Sequence, residues 1–155
     1  MLSGKKEMKG DNYMAKQLFE VDWQEYTFDI WEKVEESSPS RQKVISGEIR
    51  INPRGIPLKE RELGFGFGRL FYEVNPQTGI GRIKDVFLTP NIRGKGIGGK
   101  VVKLAESRVC CFGGQKIGGS AASEVHKFWE HIGYKHLGQN EIEKVLESCP
   151  VFLPE

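Results

Sequence analysis

Apolar and polar positions change rhythm most sharply between Gly81 and Phe112. Val86, Phe87 and Leu88 form a short apolar run that stops at Pro90-Asn91, the pattern of a strand and its end. From Ile97 the apolar residues recur at three- and four-residue spacing through Val101, Leu104, Ala105, Val109 and Phe112, as on the buried stripe of a helix. The pattern predicts a strand over 81–89, a tight turn, and a helix over 98–112 that stops at Gly113-Gly114. Upstream, Leu63 to Val74 is rich in aromatic residues (Phe65, Phe67, Phe71 and Tyr72). It predicts an antiparallel partner for that strand, joined to it by the turn Asn75 to Gly79. Gly64, Gly66 and Gly68 weaken this partner and predict a bulge or a close backbone contact.

The N-terminal third carries a different rhythm. Residues 1–13 are polar and without period, a loose terminal segment, and Lys16 to Val21 predicts a strand. Asp22 then predicts a helix start, with Glu25 as its capping-box partner and Trp23, Tyr26, Ile30, Trp31 and Val34 mainly on one stripe. Trp23 and Trp31 are expected in the core. Lys43 to Asn52 predicts a strand closed by Pro53-Arg54-Gly55, and 56–62 is a charged connector without pattern. Downstream, 115–119 is a short strand, and Ser120 or Ser123 caps a helix carrying Phe128 and Trp129. A further strand, a helix or turn over 140–147 and a last strand over 151–153, bracketed by Pro150 and Pro154, complete the chain. An antiparallel hairpin followed by strand–helix–strand–helix describes an α/β (α+β) fold: a mixed sheet with helices on both faces, in a single domain over 14–155.

Composition narrows the function classes. The 155 residues are 38% hydrophobic and 28% charged, with a net charge of +2, ordinary for a globular domain and too weakly basic to imply nucleic acid. No apolar run approaches a membrane span, and the start lacks the apolar core of a secretory signal. The three cysteines, two of them adjacent at Cys110 and Cys111, have no metal-binding spacing; reduced thiols in a cytoplasmic protein are the simplest expectation.

The candidate chemistry lies in the turn. Gly94, Gly96, Gly98 and Gly99 fall within six positions, flanked by Arg93, Lys95 and Lys100. Glycines at a helix start let a ligand approach the backbone, where unpaired N–H groups and the positive dipole end attract an anion such as phosphate or pyrophosphate. A dinucleotide loop also needs an acidic residue about 20 positions on, and the segment Gly113 to Gly119 has none. A nucleotide-triphosphate loop needs a hydroxyl where Val101 stands, to ligate magnesium. The remaining pattern is R-x-x-G-x-G, met by Arg93, Gly96 and Gly98 directly after the strand.

With that pattern, Asp85 to Gly98 resembles the central coenzyme-binding motif of the GNAT superfamily of acyl-coenzyme A-dependent N-acyltransferases. A second segment, Phe128-Trp129-Glu130-His131-Ile132-Gly133-Tyr134, is similar to that family's Phe-Tyr-Glu-Lys-Leu-Gly-Phe stretch; the likeness covers about 63–135. The resemblance implies a mostly antiparallel central sheet whose strands splay at the coenzyme site. It implies that acetyl-coenzyme A places its pyrophosphate on the backbone of Arg93, Gly94, Lys95, Gly96, Ile97, Gly98 and Gly99. The pantetheine arm then pairs with the edge of Val86, Phe87 and Leu88, beside Trp129. Lys100 fits either a phosphate contact or a solvated helix face.

The implied activity is N-acetylation of a primary amine of a small molecule or peptide by direct attack, without a metal. Dimers are common among members, so a homodimer is consistent with the resemblance. The amine must lose a proton, and the central carboxylates are Asp85 and Glu73. Asp85 is preferred as base or amine-binding group; its alternative is to hold Arg82 or Lys84. The family's tyrosine acid is replaced here by Trp129, whose indole is a poor proton donor. Tyr134, His126, His131, Ser123 or water would have to substitute. That departure also supports an alternative, a coenzyme-binding module without turnover acting as a regulatory or partner subunit.

Overall fold

The computed structural model describes residues 2–6, 16–37, 42–64 and 66–147. Among these, nine strands form one sheet: β1 (Leu2–Lys6), β2 (Lys16–Trp23), β3 (Tyr26–Ser37), β4 (Gln42–Pro53), β5 (Gly68–Asn75), β6 (Ile80–Leu88), β7 (Lys116–Ser120), β8 (Lys135–Gly138) and β9 (Glu141–Val145). Three α-helices accompany them: α1 (Leu58–Arg61), α2 (Ile97–Cys111) and α3 (His126–His131). The strand order is β1-β2-β3-β4-β5-β6-β7-β9-β8. The pair β6–β7 is parallel and all others are antiparallel. This is the mixed, mostly antiparallel sheet that the sequence predicted.

The predicted helix at Asp22–Val34 does not form. β2 and β3 make a hairpin there, turning at Gln24-Glu25, and Gln24 takes a positive φ of 54°. Tyr26, Ile30 and Val34 are four apart, so they share a face in either periodicity. Phe28, fully buried between Tyr26 and Ile30, belongs only to the two-residue stripe. β3 pairs with β4 at twelve successive positions, and that ladder prevails over a short helix of aromatic and β-branched residues. Asp22 caps no helix; it accepts a hydrogen bond from the Thr27 hydroxyl at 2.6 Å. Trp23 is buried as expected, and Trp31 is half-buried.

Other corrections are smaller. Residues 2–6, expected to be loose, pair as β1 with β2. The strand predicted from Leu63 begins only at Gly68, and Leu63 is 87% exposed. Gly68 does make the predicted close contact, since a Cβ there would lie 2.3 Å from the Phe87 carbonyl oxygen. The 140–147 segment is a strand, β9, not a helix or turn. Neither serine caps α3, because Ser120 donates to Glu141 at 2.8 Å and Ser123 begins a 3-10 turn. The predicted strand at 151–153, and Phe65, lie outside the described residues. Cys110 is disulfide-bonded and Cys111 is a free, exposed thiol, which corrects the expectation of three reduced cysteines.

The core lies between the sheet and α2. Ile49, Leu70, Tyr72 and Val74 of the central strands meet Val101, Ala105 and Val109 of the helix, all almost fully buried. Arg108 of α2 reaches Glu32 of β3 with two hydrogen bonds of 2.8 and 2.7 Å, and the Tyr72 hydroxyl donates to the same carboxylate. On the opposite face, Arg61 of α1 binds Asp29 at 2.7 Å. Helices therefore lie on both faces.

A second buried network joins α2 to the C-terminal strands. The Tyr134 hydroxyl donates to Glu106 at 2.7 Å, and Lys144 meets the same carboxylate at 3.1 Å. Burial, reinforced by the Glu106 charge, holds the Tyr134 phenol well above its usual ionisation range. The unfolded tyrosine ionises near 10. The stabilisation is therefore complete below about pH 10 and is lost as pH rises beyond it. Tyr134→Phe is expected to cost about 1–2 kcal/mol at pH 7 by leaving Glu106 short of a donor. Its stability should also fall less steeply than wild type above pH 10, as read by urea unfolding at both pH values. Equal alkaline slopes would contradict the role given to this hydroxyl.

Candidate active site

The site arises where β6 and β7 part. They pair from Ile80↔Lys116 to Ile83↔Gly119 and no further. β6 continues to Leu88 bonded to β5 alone, so the other edge of residues 84–88 faces an opening. A bulge sits at the parting point. Phe71 pairs with Asp85 but Tyr72 pairs with Ile83, leaving Lys84 as an extra residue. The inward residues accordingly switch from Gly81 and Ile83 to Val86 and Leu88. The resulting cleft holds about 1020 Å³. Its walls are the β6 edge, residues 119–122 after β7, the glycine turn with the start of α2, and Phe128, Trp129, His131 and Ile132 around α3.

The turn is built to expose its backbone. Pro90–Ile92 makes a 3-10 turn anchored by buried Ile92. Gly94 and Gly96 then take φ values of 78° and 80°, a left-handed conformation that costs other residues energy. No neighbouring atom would touch a Cβ at either position, so backbone conformation, not crowding, calls for glycine. α2 begins at Ile97 with no side-chain cap. The amides up to Gly99 therefore have no helical acceptor and point out of the helix end. Gly94, Gly96, Gly98 and Gly99 line the cleft, as do Val86, Phe87 and Leu88. Lys95 is exposed away from the wall, while Ile97 has its side chain in the core.

Charge is divided along the cleft. Arg93, Lys100 and Lys103 lie toward the turn and α2, and Lys84 lies at the bulge. Arg93 folds back, its Nε donating to the Leu88 carbonyl at 3.0 Å. Lys100 stands 5.2 Å from the Trp23 ring centre while still lining the cleft. Asp85 is the only carboxylate on the wall among the described residues. Neither alternative partner holds it: Lys84 lies 3.5 Å from Glu73, and Arg82 lies 3.8 Å from Glu141. Among the described residues Asp85 makes no hydrogen bond or ion pair. Glu73, the other candidate base, does not line the cleft and is engaged by Lys84.

The proton-donor candidates separate clearly. Trp129 lies buried in the cleft wall between Phe128 and Tyr134, with ring centres 5.1 and 5.0 Å away. Tyr134 is committed to Glu106 and does not reach the cleft. His126 contacts the Ala121 carbonyl at 3.0 Å, and its ring centre lies 4.0 Å from that of His136, tilted by 36°. His131 lines the cleft; His126 and Ser123 do not. Sequence reasoning missed Lys103, the 119–122 wall and the bulge. The bulge left a signal in the shift of apolar phase between Ile83 and Val86. Among the described residues no group of three or more His, Cys, Asp or Glu could hold a metal, and no helix is long and apolar enough to cross a membrane.

No protein-family model and no curated protein matches the sequence. Solved structures do match the fold. An acetyltransferase from Bacillus cereus ATCC 14579 is similar with a TM-score of 0.56 at 15% identity, over 71% of this chain and 79% of that one. Tetrahymena GCN5 gives 0.55 at 9% identity, over 70% and 72%. Nourseothricin acetyltransferase gives 0.52 at 12% identity, over 86% and 88%. The fold is that of the GNAT acyltransferases.

Proposed function

We propose that this protein is an acyl-coenzyme A-dependent N-acyltransferase, with 14–155 as its catalytic domain, that moves an acetyl group from acetyl-coenzyme A to a primary amine. The observation that carries the reading is the open edge of 84–88 beside an uncapped, glycine-built helix start. The exposed amides of 94–99 suit a pyrophosphate, and Arg93, Lys100 and Lys103 offset its charge. The backbone edge of Val86 to Leu88 suits the amide-bearing arm, which can add to it as a strand would. Trp129 and Phe128 supply an apolar wall beside that arm.

Asp85 stands where the strands part, the one carboxylate on the cleft wall among the described residues, where it makes no hydrogen bond or ion pair. It attracts the protonated acceptor and takes a proton from it, freeing the nitrogen lone pair. That nitrogen attacks the thioester carbonyl; the C–N bond forms, the C–S bond breaks, and the sulfur leaves with the electron pair as a thiolate. No tyrosine hydroxyl lines the cleft among the described residues. Water therefore carries the second proton, which the acylated nitrogen must lose to become a neutral amide, to the thiolate, and Asp85 returns the first to solvent. Release of free thiol on mixing the protein with acetyl-coenzyme A and a panel of primary amines tests the reading. Amine-dependent thiol release is expected. Coenzyme A should also raise the melting temperature where ATP and NAD do not. Stabilisation by coenzyme A without thiol release from any amine would favour the non-catalytic binding module instead.

A further inference from the structure

The two strands that part at the cleft each present a hydrogen-bond acceptor just past the parting point. β6 carries Asp85, and β7 ends at Ser120, one residue beyond the last pair, Ile83↔Gly119. Both residues line the cleft. Both also stand on the sheet face turned away from α2. Ile117 and Gly119 are buried beneath the helix, so Ser120 alternates to the other face. Asp85 is opposite Phe71, whose neighbours Leu70 and Tyr72 are the residues buried toward α2. Paired strands run roughly 4.8 Å apart, and these two diverge from there, so a small group fits between Asp85 and Ser120. Lys84, the bulge residue that continued pairing would set beside Ser120, reaches Glu73 on β5 instead.

The Ser120 hydroxyl is already oriented. It donates to Glu141 of β9 at 2.8 Å, and Arg82 stands 3.8 Å from the other oxygen of that carboxylate. A hydroxyl has one proton and two lone pairs. With its proton given to a carboxylate, it offers the cleft lone pairs alone, and the charge-assisted bond strengthens them as acceptors. Among the described residues, Asp85, Ser120 and His131 are the cleft-lining side chains with a hydrogen-bond acceptor atom. His131 belongs to the anion end, because Ile132 beside it lies 3.8 Å from a Cβ placed on Gly99. A protonated primary amine brings three N–H donors, and each one left unpaired on leaving water is costly. Asp85 takes one of them, and Ser120 is the other side chain on that face able to take a second.

We infer that Ser120 is a second binding group for the acceptor amine: its oxygen, oriented by Glu141, accepts an N–H from the nitrogen that Asp85 deprotonates. This rests on the N-acyltransferase reading above and uses the same bond changes. Once Asp85 has taken one proton, an N–H held on Ser120 fixes the direction of the nitrogen lone pair toward the thioester carbonyl. Ser120 neither gains nor loses a proton in the step. Glu141 does not line the cleft; it is a positioning residue that acts through the hydroxyl.

Steady-state thiol release from acetyl-coenzyme A with butylamine, benzylamine and glycinamide tests the assignment. Ser120→Ala is expected to lower the amine kcat/KM roughly tenfold or more, while the KM for acetyl-coenzyme A stays within twofold. Glu141→Ala should lower the amine kcat/KM about threefold in the native background and leave it unchanged in Ser120→Ala, since its effect passes through the missing hydroxyl. A merely structural bond between the two residues would move the KM of both substrates. Native amine kcat/KM in Ser120→Ala, a matching rise in the KM for acetyl-coenzyme A, or a Glu141→Ala loss that persists undiminished in Ser120→Ala would overturn the inference and leave the acyltransferase reading standing. No thiol release with any amine, coenzyme A still being bound, would contradict both.

Discussion

Asp85→Asn is expected to lower kcat/KM for amine acetylation by about 10²–10⁴-fold, the range general-base catalysis commonly supplies, while coenzyme A affinity stays within twofold. The change keeps the side chain's size and removes its charge and its basicity. Asp85 has no hydrogen bond or ion pair among the described residues, so its replacement breaks no structural contact. The pH dependence separates the base role from mere positioning. Raising the pH toward the acceptor's own ammonium pKa supplies free amine from solution, so the deficit of Asp85→Asn should narrow. Steady-state rates across pH measure this, and a deficit that stays constant at every pH would contradict the base role. Glu73→Gln, by contrast, alters a Lys84 pair outside the cleft and should change the rate by less than threefold.

Gly96→Val is expected to weaken coenzyme A binding at least 100-fold, about 2.7 kcal/mol at 1.36 kcal/mol per decade. A β-branched residue is a poor occupant of φ near 80°, so the turn must either carry strain of about 1–3 kcal/mol or unwind. Unwinding re-aims the amides at the start of α2, and a side chain left in place stands where the anion must approach. Gly64 provides the control. It has neither a left-handed φ nor a neighbour within 4 Å of an added Cβ, so Gly64→Ala should leave affinity unchanged. Isothermal calorimetry with coenzyme A reads both. Unaltered affinity in Gly96→Val would remove the turn from the binding site.

The segment from 81 to 112 was legible because its chemistry is local. A strand stop, two left-handed glycines and a helical apolar stripe each follow from residues adjacent in sequence. The N-terminal third was not, because Tyr26, Ile30 and Val34 satisfy two periodicities and the deciding ladder lies in β4, far along the chain. β9 was missed for a related reason. Ile142 is its only fully buried apolar residue, and its strand character comes from pairing with β7 and β8. Asp85's place on the cleft wall could be read from the sequence because it directly precedes the motif. No sequence pattern showed that Glu106 and Lys144 would claim Tyr134, or that Lys84 would claim Glu73. Those pairs are made across elements, and only the folded register brings them together.

The most direct test of the central claim is a crystal structure of the protein with acetyl-coenzyme A. The account predicts pyrophosphate oxygens within hydrogen-bond distance of backbone amides between Gly94 and Gly99, the pantetheine arm paired with the backbone of Val86 to Leu88, and the acetyl group beside Asp85. Coenzyme bound elsewhere, or β6 and β7 zipped together beyond Ile83 with the arm excluded, would contradict it.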